Sequence, residues 1–252
     1  MKLLCMLLVG TSAALAAEPD ARRSGFEFMS PQTQAIQQDD IRNPAMLWVK
    51  QGEELWRRKA GVTDKSCASC HGDAATSMRG VAARYPAFDA LEQRPVGLSD
   101  RIRLCRQRNQ LALPFAAESH DLLSLESFVA LQSRGMPIVP DPDPRLERFR
   151  ENGQRLYQQR VGQLDFSCAQ CHDQNAGQRL AGSVIPQAHP TGYPLYRLEW
   201  QGLGSLQRRL RNCMSGVRAE PYPYGSLELS ELELHLMQRA GNMRLESPAV
   251  RP

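Results

Sequence analysis

The amino-acid sequence predicts an all-α fold built as two tandem domains, and two observations support this prediction. A six-residue pattern, Ser-Cys-Ala-x-Cys-His, occurs at 66–71 and again at 167–172. A repeated motif indicates an internal duplication, with one structural unit for each copy. Four prolines between 137 and 144 interrupt the helical periodicity on either side. Because proline cannot continue a helix, this segment predicts an extended connector between the two units.

The first residues have the order of an export signal. Lys2 precedes an apolar run that ends in the small residues Ala16 and Ala17. This order predicts a signal peptide over residues 1–17 and, in a bacterium, a mature protein in the periplasm. No later stretch approaches the roughly 18 apolar residues that a helical membrane span requires. We therefore predict no membrane span.

The first unit is predicted to cover residues 18–139. Its polar start indicates an extended N-terminal arm with at most a short helix. Apolar residues at helical spacing then predict a helix that begins near Ala45 and leads to the first motif. Ser99 is a favourable N-cap for a second helix that reaches Cys105, and a third helix is expected over about 120–134.

The second unit, predicted over residues 140–252, repeats the first. The stretch 153–157 resembles 52–56 and lies 101 residues later, the same distance that separates Cys67 from Cys168. Helices are expected near residues 204–213 and 226–239. Two small, mainly helical units of the cytochrome c type account for this pattern.

Two cysteines separated by two residues and followed at once by histidine form the attachment pattern of a c-type haem. The thiols add to the haem vinyl groups, and the adjacent histidine binds the iron. The predicted attachment residues and proximal ligands are Cys67, Cys70 and His71 in the first half, and Cys168, Cys171 and His172 in the second. A redox dithiol or half of a zinc site is the alternative, but neither requires the histidine. The sequence therefore predicts two covalently bound haem c groups.

Two cysteines remain outside the motifs and the predicted signal peptide, Cys105 and Cys213. In an oxidising compartment such a pair commonly forms a disulfide. Both lie in arginine-rich segments, however, and nearby guanidinium groups stabilise a thiolate, which can bind haem iron. Met136 and Met243 have spacings that would suit a methionine ligand instead. The residues favour thiolate ligation and leave the methionines and the disulfide as alternatives.

The second half also carries a family resemblance. The stretch 192–206, followed by Arg-Asn-Cys-Met at 211–214 and Val-Arg-Ala-Glu-Pro at 217–221, resembles the A subunits of the Sox thiosulfate-oxidising systems. Those subunits are c-type cytochromes with two cytochrome-c-like domains. The resemblance covers the predicted mature chain, and both haem motifs are intact, as in the di-haem form.

The resemblance implies roles for three residues. Cys213 would be the catalytic residue and the distal iron ligand of the second haem, and Arg209 would contact the substrate. Cys105 would be the distal iron ligand of the first haem. The implied activity is oxidative coupling of thiosulfate to a cysteine of a carrier protein made by the Y and Z subunits. A mono-haem X subunit would be the partner that takes up the electrons.

The residues themselves leave other functions open. The net charge of +4 is mild and gives no indication of nucleic-acid binding. A non-catalytic di-haem electron carrier is the main alternative to a sulfurtransferase. A di-haem peroxidase-like enzyme is a third, for which an open or histidine-ligated iron is expected. The first two alternatives differ at Cys213, because only a sulfurtransferase requires a reactive sulfur there.

Overall fold

The computed structural model describes residues 20–180 and 182–252, so the predicted signal peptide lies outside the described residues. The described chain is mostly helical, with small two- and three-stranded sheets. The α-helices are α1 Pro31–Gln38, α2 Ala45–Arg57, α3 Cys67–His71, α4 Ala74–Ser77, α5 Leu98–Cys105, α6 His120–Leu131, α7 Glu147–Gln158, α8 Leu206–Gly216 and α9 Leu227–Arg239. The strands are β1 Ala87–Asp89, β2 Arg94–Val96, β3 Arg179–Leu180, β4 Ser183–Val184, β5 Leu195–Arg197, β6 Gly202–Gly204 and β7 Ala249–Arg251.

Each half is organised around one pair of packed helices, α2 with α6 and α7 with α9. A glycine on the first helix of each pair allows the close approach. A methyl group at Gly52 would lie 2.1 Å from the Ser124 carbonyl oxygen, and one at Gly153 would lie 2.1 Å from the Glu231 carbonyl oxygen. The shared Gly52 and Gly153 signal in the sequence therefore marks the two helix crossings.

Each half also contains an antiparallel hairpin that leads into a helix ending near the leftover cysteine of that half, the one outside the haem motif (Cys105 or Cys213). In the first half β1 pairs with β2 and α5 follows; in the second half β5 pairs with β6 and α8 follows. Strand β7 adds to the second hairpin by pairing in parallel with β5. The sequence prediction did not include these short strands, since runs of three residues carry no measurable periodicity.

Serine side chains begin most of the longer helices. Ser205, Ser119 and Ser226 accept hydrogen bonds from backbone N–H groups in the first turns of α8, α6 and α9. The predicted N-cap of α5 was wrong, because the helix begins two residues earlier, with Gly97 as its cap. Ser99 lies inside the helix, where its hydroxyl donates to the Glu126 carboxylate.

The connector is not a free spacer in the structure. Residues 135–138 exchange backbone hydrogen bonds with residues 242–245, and Ile138 is fully buried beside Ala82 and Met237. The chain after the second motif thus packs against the end of the first unit. The boundary between residues 139 and 140 stays a prediction. Within the described residues, none of the helices has both the length and the apolar character needed to cross a membrane.

Buried carboxylates line a cavity where the two halves meet. Glu126 on α6 accepts a hydrogen bond from the Ser99 hydroxyl. Glu233, at the equivalent position of α9, accepts one from Gln207 Nε2 at 3.1 Å. Burial raises the pKa of Glu126 to about 7 and that of Glu233 to about 8, and negative charges nearby, including Glu118, add to both increases. These carboxyls are therefore protonated in the folded protein at a pH where the unfolded chain has lost the proton.

We expect the free energy of unfolding to fall as the pH rises. A carboxyl whose folded pKa is raised stabilises the fold below its unfolded pKa and loses that contribution as the pH passes its folded pKa. Between pH 5 and pH 9 the wild-type loss should be on the order of 2 kcal/mol or more. Glu233→Gln should flatten this dependence in denaturant titrations followed by circular dichroism. The same change at the exposed Glu54 should leave the slope unaltered, and an equal effect there would contradict the prediction.

Candidate haem and thiol sites

Both motifs begin with the same serine cap. Ser66 Oγ accepts from the backbone N–H of Ser69 at 3.1 Å, and Ser167 Oγ accepts from that of Gln170 at 3.2 Å. The side chains of Ser69 and Gln170 bond back to the N–H of the capping serine, which completes a capping box in each motif. The cap holds each motif as a single turn, with both cysteines and the histidine in a fixed relation.

An aromatic side chain from the preceding helix supports each motif. Trp56 Nε1 donates to the Gly72 carbonyl at 3.0 Å, and its ring lies 5.8 Å from that of His71. Tyr157 takes the equivalent place in the second half and donates to the Asp173 carboxylate at 2.9 Å. These contacts fix the residue after each predicted proximal histidine.

The structure brings each leftover cysteine to the motif of its own half. Cys105 lies close enough to Cys67 to raise the pKa of that thiol, and Cys213 does the same to Cys168, although burial makes the larger contribution in both cases. Neither Cys105 nor Cys213 forms a disulfide. The disulfide alternative is therefore wrong for this structure. Met243 packs in the apolar cluster between the halves.

The second motif has a ligand geometry that fits a haem iron. His172 Nδ1 donates to the Pro186 carbonyl oxygen at 2.7 Å, which leaves Nε2 for a metal, and the Cys213 thiol lies near enough to the ring for His172 to lower its pKa. A carbonyl on one ring nitrogen is the usual arrangement for a metal-binding histidine. A thiol near this histidine, together with the two thiols of the motif, suits a covalently attached haem. No group of three or more His, Cys, Asp or Glu residues with metal-binding geometry occurs in the described ranges.

The surroundings of the two leftover cysteines correspond residue by residue. A constant offset of 108 residues relates Tyr85, Asp89, Arg101 and Cys105 to the second half, and it follows the paired registers of the two hairpins. The counterparts are Tyr193, Arg197, Arg209 and Cys213. Three of these four positions keep their residue type. The fourth changes an aspartate into an arginine.

In the first half this aspartate neutralises the arginine beside the cysteine. The Asp89 side chain is 3% exposed and accepts from Arg101 at 2.7 Å and from Arg108 at 3.0 Å. Burial raises its pKa, but backbone hydrogen bonds and the two guanidinium groups outweigh burial and hold the pKa well below its usual range. The positive charge of Arg101 is therefore paired with Asp89 and is not available to bind an anionic ligand.

In the second half no buried carboxylate of the described residues neutralises the corresponding charges. Within the described chain, Arg209 has neither a salt bridge nor a side-chain hydrogen bond. Arg197 pairs only with Glu199, whose side chain is 64% exposed, and its Nε is buried without a partner. Burial and the charge of Arg209 lower the pKa of Arg197, so the two guanidinium groups lie within electrostatic range of each other.

The two cysteines differ accordingly. Burial raises the pKa of Cys105, and the charges of Arg101 and Arg108 offset only part of that increase. Burial also acts to raise the pKa of Cys213, but a hydrogen bond with His172 and the charges of Arg209 and Arg197 lower it below its usual value. The prediction that both thiols have a lowered pKa is thus confirmed for Cys213 and wrong for Cys105.

Two further arginines near Arg209 in the sequence, Arg211 and Arg218, point elsewhere. Arg211 donates to the carbonyl oxygens of Pro221 and Tyr222 and stacks on Tyr224 at 4.5 Å. Arg218 lies in the turn after α8, along a separate surface cavity beside residues 159–163. Arg197 was missed because it lies outside α8. Comparison of the two halves, Asp89 against Arg197, is the sequence signal that could have identified it.

Comparison with known proteins agrees with the duplicated fold. The model of the SoxA/TsdA cytochrome c domain matches twice, at residues 51–138 and 152–245. The L-cysteine S-thiosulfotransferase subunit SoxA of Pseudaminobacter salicylatoxidans is 38% identical over 97% of this chain and 86% of its own length. The corresponding subunit of Paracoccus pantotrophus is 33% identical over 95% of this chain and 82% of its own length.

A solved structure shares the architecture as well. A chain of the crystal structure of SoxXA from P. pantotrophus superposes with a TM-score of 0.88 and is 32% identical, with 92% of this chain and 87% of that chain covered. The prediction of two tandem cytochrome-c-like domains is confirmed by this match and by the twofold match of the domain model. This chain belongs to the SoxA/TsdA cytochrome c family.

Proposed function

We propose that this chain is the catalytic subunit of an L-cysteine S-thiosulfotransferase. The observation that carries the proposal is the position of Cys213 one helical turn after Arg209 on α8 and within electrostatic range of Arg197, where no buried carboxylate among the described residues neutralises either arginine. A non-catalytic electron carrier needs haem and a docking face but has no use for a positively charged pocket at a thiol. The names of the SoxA relatives support the same activity.

The reaction couples a thiosulfate dianion to a cysteine thiol of a carrier of the SoxYZ type. The carrier thiol loses its proton, a sulfur–sulfur bond forms to the outer sulfur of thiosulfate, and two electrons leave. The product is a carrier S-thiosulfonate with one negative charge. As a member of the cytochrome c family the chain carries covalently attached haem c, which supplies one-electron acceptance when bound.

The residues divide this work between binding and sulfur transfer. Arg209 holds the oxyanion end of thiosulfate by charge-assisted hydrogen bonds. Cys213 forms the sulfur–sulfur bond first, with loss of its proton and of the two electrons, so that thiosulfate is held as a Cys213 S-thiosulfonate. The carrier thiolate then attacks the sulfur bonded to Cys213, and the Cys213 sulfur leaves as the thiolate. Its lowered pKa suits it to that departure.

The haem ligands follow from the two motifs. Cys67 with Cys70 and Cys168 with Cys171 would hold two haem c groups covalently. His71 and His172 would bind the irons through imidazole nitrogens, and Cys105 and Cys213 would bind them as thiolates. Cys213 would then be both an iron ligand and the sulfur site, which would couple sulfur chemistry to electron removal.

The proposed setting is the periplasm, with a mono-haem subunit as partner. The solved relative contains SoxX together with SoxA, and we assign a SoxX-type cytochrome to this chain on that likeness. The predicted signal peptide over residues 1–17 supports export. The Cys213 thiol lies on one face of α8. This position agrees with access by an external carrier and a partner cytochrome.

The experiment is a coupling assay with the purified holoprotein and its mono-haem partner. Thiosulfate, a carrier with one free cysteine and an oxidant for the haem are mixed, and the carrier is examined by mass spectrometry. We expect an S-thiosulfonate on the carrier cysteine that requires all three components. A carrier that stays unmodified while the haems exchange electrons normally would instead support the electron-carrier alternative.

A further inference from the structure

The charge change between the two halves points to a second anion-binding residue. We propose that Arg197 is a substrate-positioning residue that holds a divalent oxyanion together with Arg209 and so confines thiosulfate to the second half. The proposal adds a residue role to the function proposed above, and it depends on that function for the identity of the anion. It assigns a role to a strand residue that lies outside the cysteine-bearing helix.

The position of Arg197 is fixed by the hairpin rather than by a flexible loop. It ends β5, where its backbone pairs with Gly202 on one side and with Arg251 on the other. Its side chain is 15% exposed, and Trp200 covers one face of the guanidinium at 5.2 Å. An arginine whose backbone is paired on both sides and whose guanidinium lies against an indole ring loses little further conformational freedom when it binds a ligand.

The bonding capacity of Arg197 is incompletely used. One Nη donates to the exposed Glu199 at 2.8 Å, while the buried Nε has no hydrogen-bond partner. A buried donor without a partner is costly unless a ligand supplies the acceptor. The fork of Nε and Nη on a guanidinium matches two oxygens of a sulfonate group.

The charges around Tyr193, Arg197 and Arg209 favour a bound anion. Burial raises the pKa of Tyr193, and the charges of Arg209, Arg251 and Arg197 act to lower it, so Arg209 and Arg197 both lie within electrostatic range of the same phenol. Two like charges within this range repel one another, and a dianion bound between them offsets the repulsion. In the first half Asp89 already fills that place, which leaves no room for an anionic substrate at Cys105.

The test measures anion binding separately from turnover. The probes are thiosulfate, for the KM of the coupling reaction, and sulfate, a dianion that cannot be oxidised here, for binding by calorimetry to the holoprotein without carrier. For Arg197→Gln we expect the KM for thiosulfate and the Kd for sulfate to rise together by roughly 10- to 100-fold, with kcat changed much less. Arg197→Lys should recover part of the loss, and Arg197→Asp should abolish sulfate binding.

Arg211→Gln is the matched control, because it removes one positive charge from α8 at a side chain that faces the turn 221–224. It should leave both constants within about twofold. Equal effects of Arg211→Gln and Arg197→Gln would overturn the proposal, since they would show a general charge effect. Unchanged anion constants with a shifted haem potential in Arg197→Gln would also overturn it and assign Arg197 to the haem. Absence of coupling in the wild type with intact, Arg197-dependent sulfate binding would contradict the proposed function alone.

Discussion

Replacing Cys213 with alanine should abolish thiosulfate coupling, with a loss of roughly a thousandfold or more in kcat. The variant keeps Cys168, Cys171 and His172, so both haems should remain attached. The physical reason is that alanine offers no sulfur to form the intermediate bond, while the anion pocket around Arg209 stays intact. Initial rates of carrier modification, together with a pyridine haemochrome count of the haem, measure both expectations.

Cys105→Ala is the matched control for this experiment. It removes the equivalent thiol from the first half, where Asp89 neutralises Arg101. We expect coupling to persist in Cys105→Ala, with an altered spectrum of the first haem. Equal loss in the two variants would show that the thiols act through haem ligation and stability, and full activity of Cys213→Ala would remove the sulfurtransferase assignment.

Gly153→Ala should destabilise the second half by on the order of 3 kcal/mol. The added methyl group would stand 2.1 Å from the Glu231 carbonyl oxygen and 2.9 Å from His235 Cβ, so α7 and α9 would have to separate. Both atoms belong to the facing helix, and neither can move as the end of a flexible side chain does. Thermal and denaturant unfolding followed by far-UV circular dichroism measure the effect.

Gly216→Ala serves as the reference substitution for stability. Gly216 is also helical, and a methyl group there meets no atom within 4 Å. Because alanine has the higher helix propensity, stability should stay equal or increase by up to about 1 kcal/mol. If Gly153→Ala proved as stable as Gly216→Ala, the close packing of α7 on α9 could not be a determinant of the fold.

The duplicated architecture could be predicted from the sequence because the sequence signals for it are local. Two motifs, a shared glycine before each and serine caps ahead of the helices are all readable within short windows, and the helices at Ala45 and Ser226 occur where expected. The hairpins were not predicted, since strands as short as Ala87–Asp89 have too few residues for a pattern.

The candidate site was only partly predictable for a different reason. Cys213 and Arg209 share one helix, so their spacing is visible in the sequence, whereas Arg197 reaches them through the pairing of β5 with β6. The failed expectation for Cys105 has the same origin. Its neighbouring arginines are visible in the sequence, but the buried Asp89 that neutralises them comes from a strand 16 residues earlier. Charge balance at a site depends on tertiary contacts that composition does not report.

The central claim is that thiosulfate sulfur is bound covalently at Cys213 and not at its counterpart. The most direct measurement is peptide mapping by mass spectrometry after the oxidised holoprotein and its mono-haem partner are incubated with radiolabelled thiosulfate in the absence of carrier. We predict label on the peptide that contains Cys213, lost when carrier thiol is added, and none on the peptide that contains Cys105. Label on Cys105, or a Cys213 peptide that stays unlabelled in an enzyme able to modify the carrier, would contradict the account.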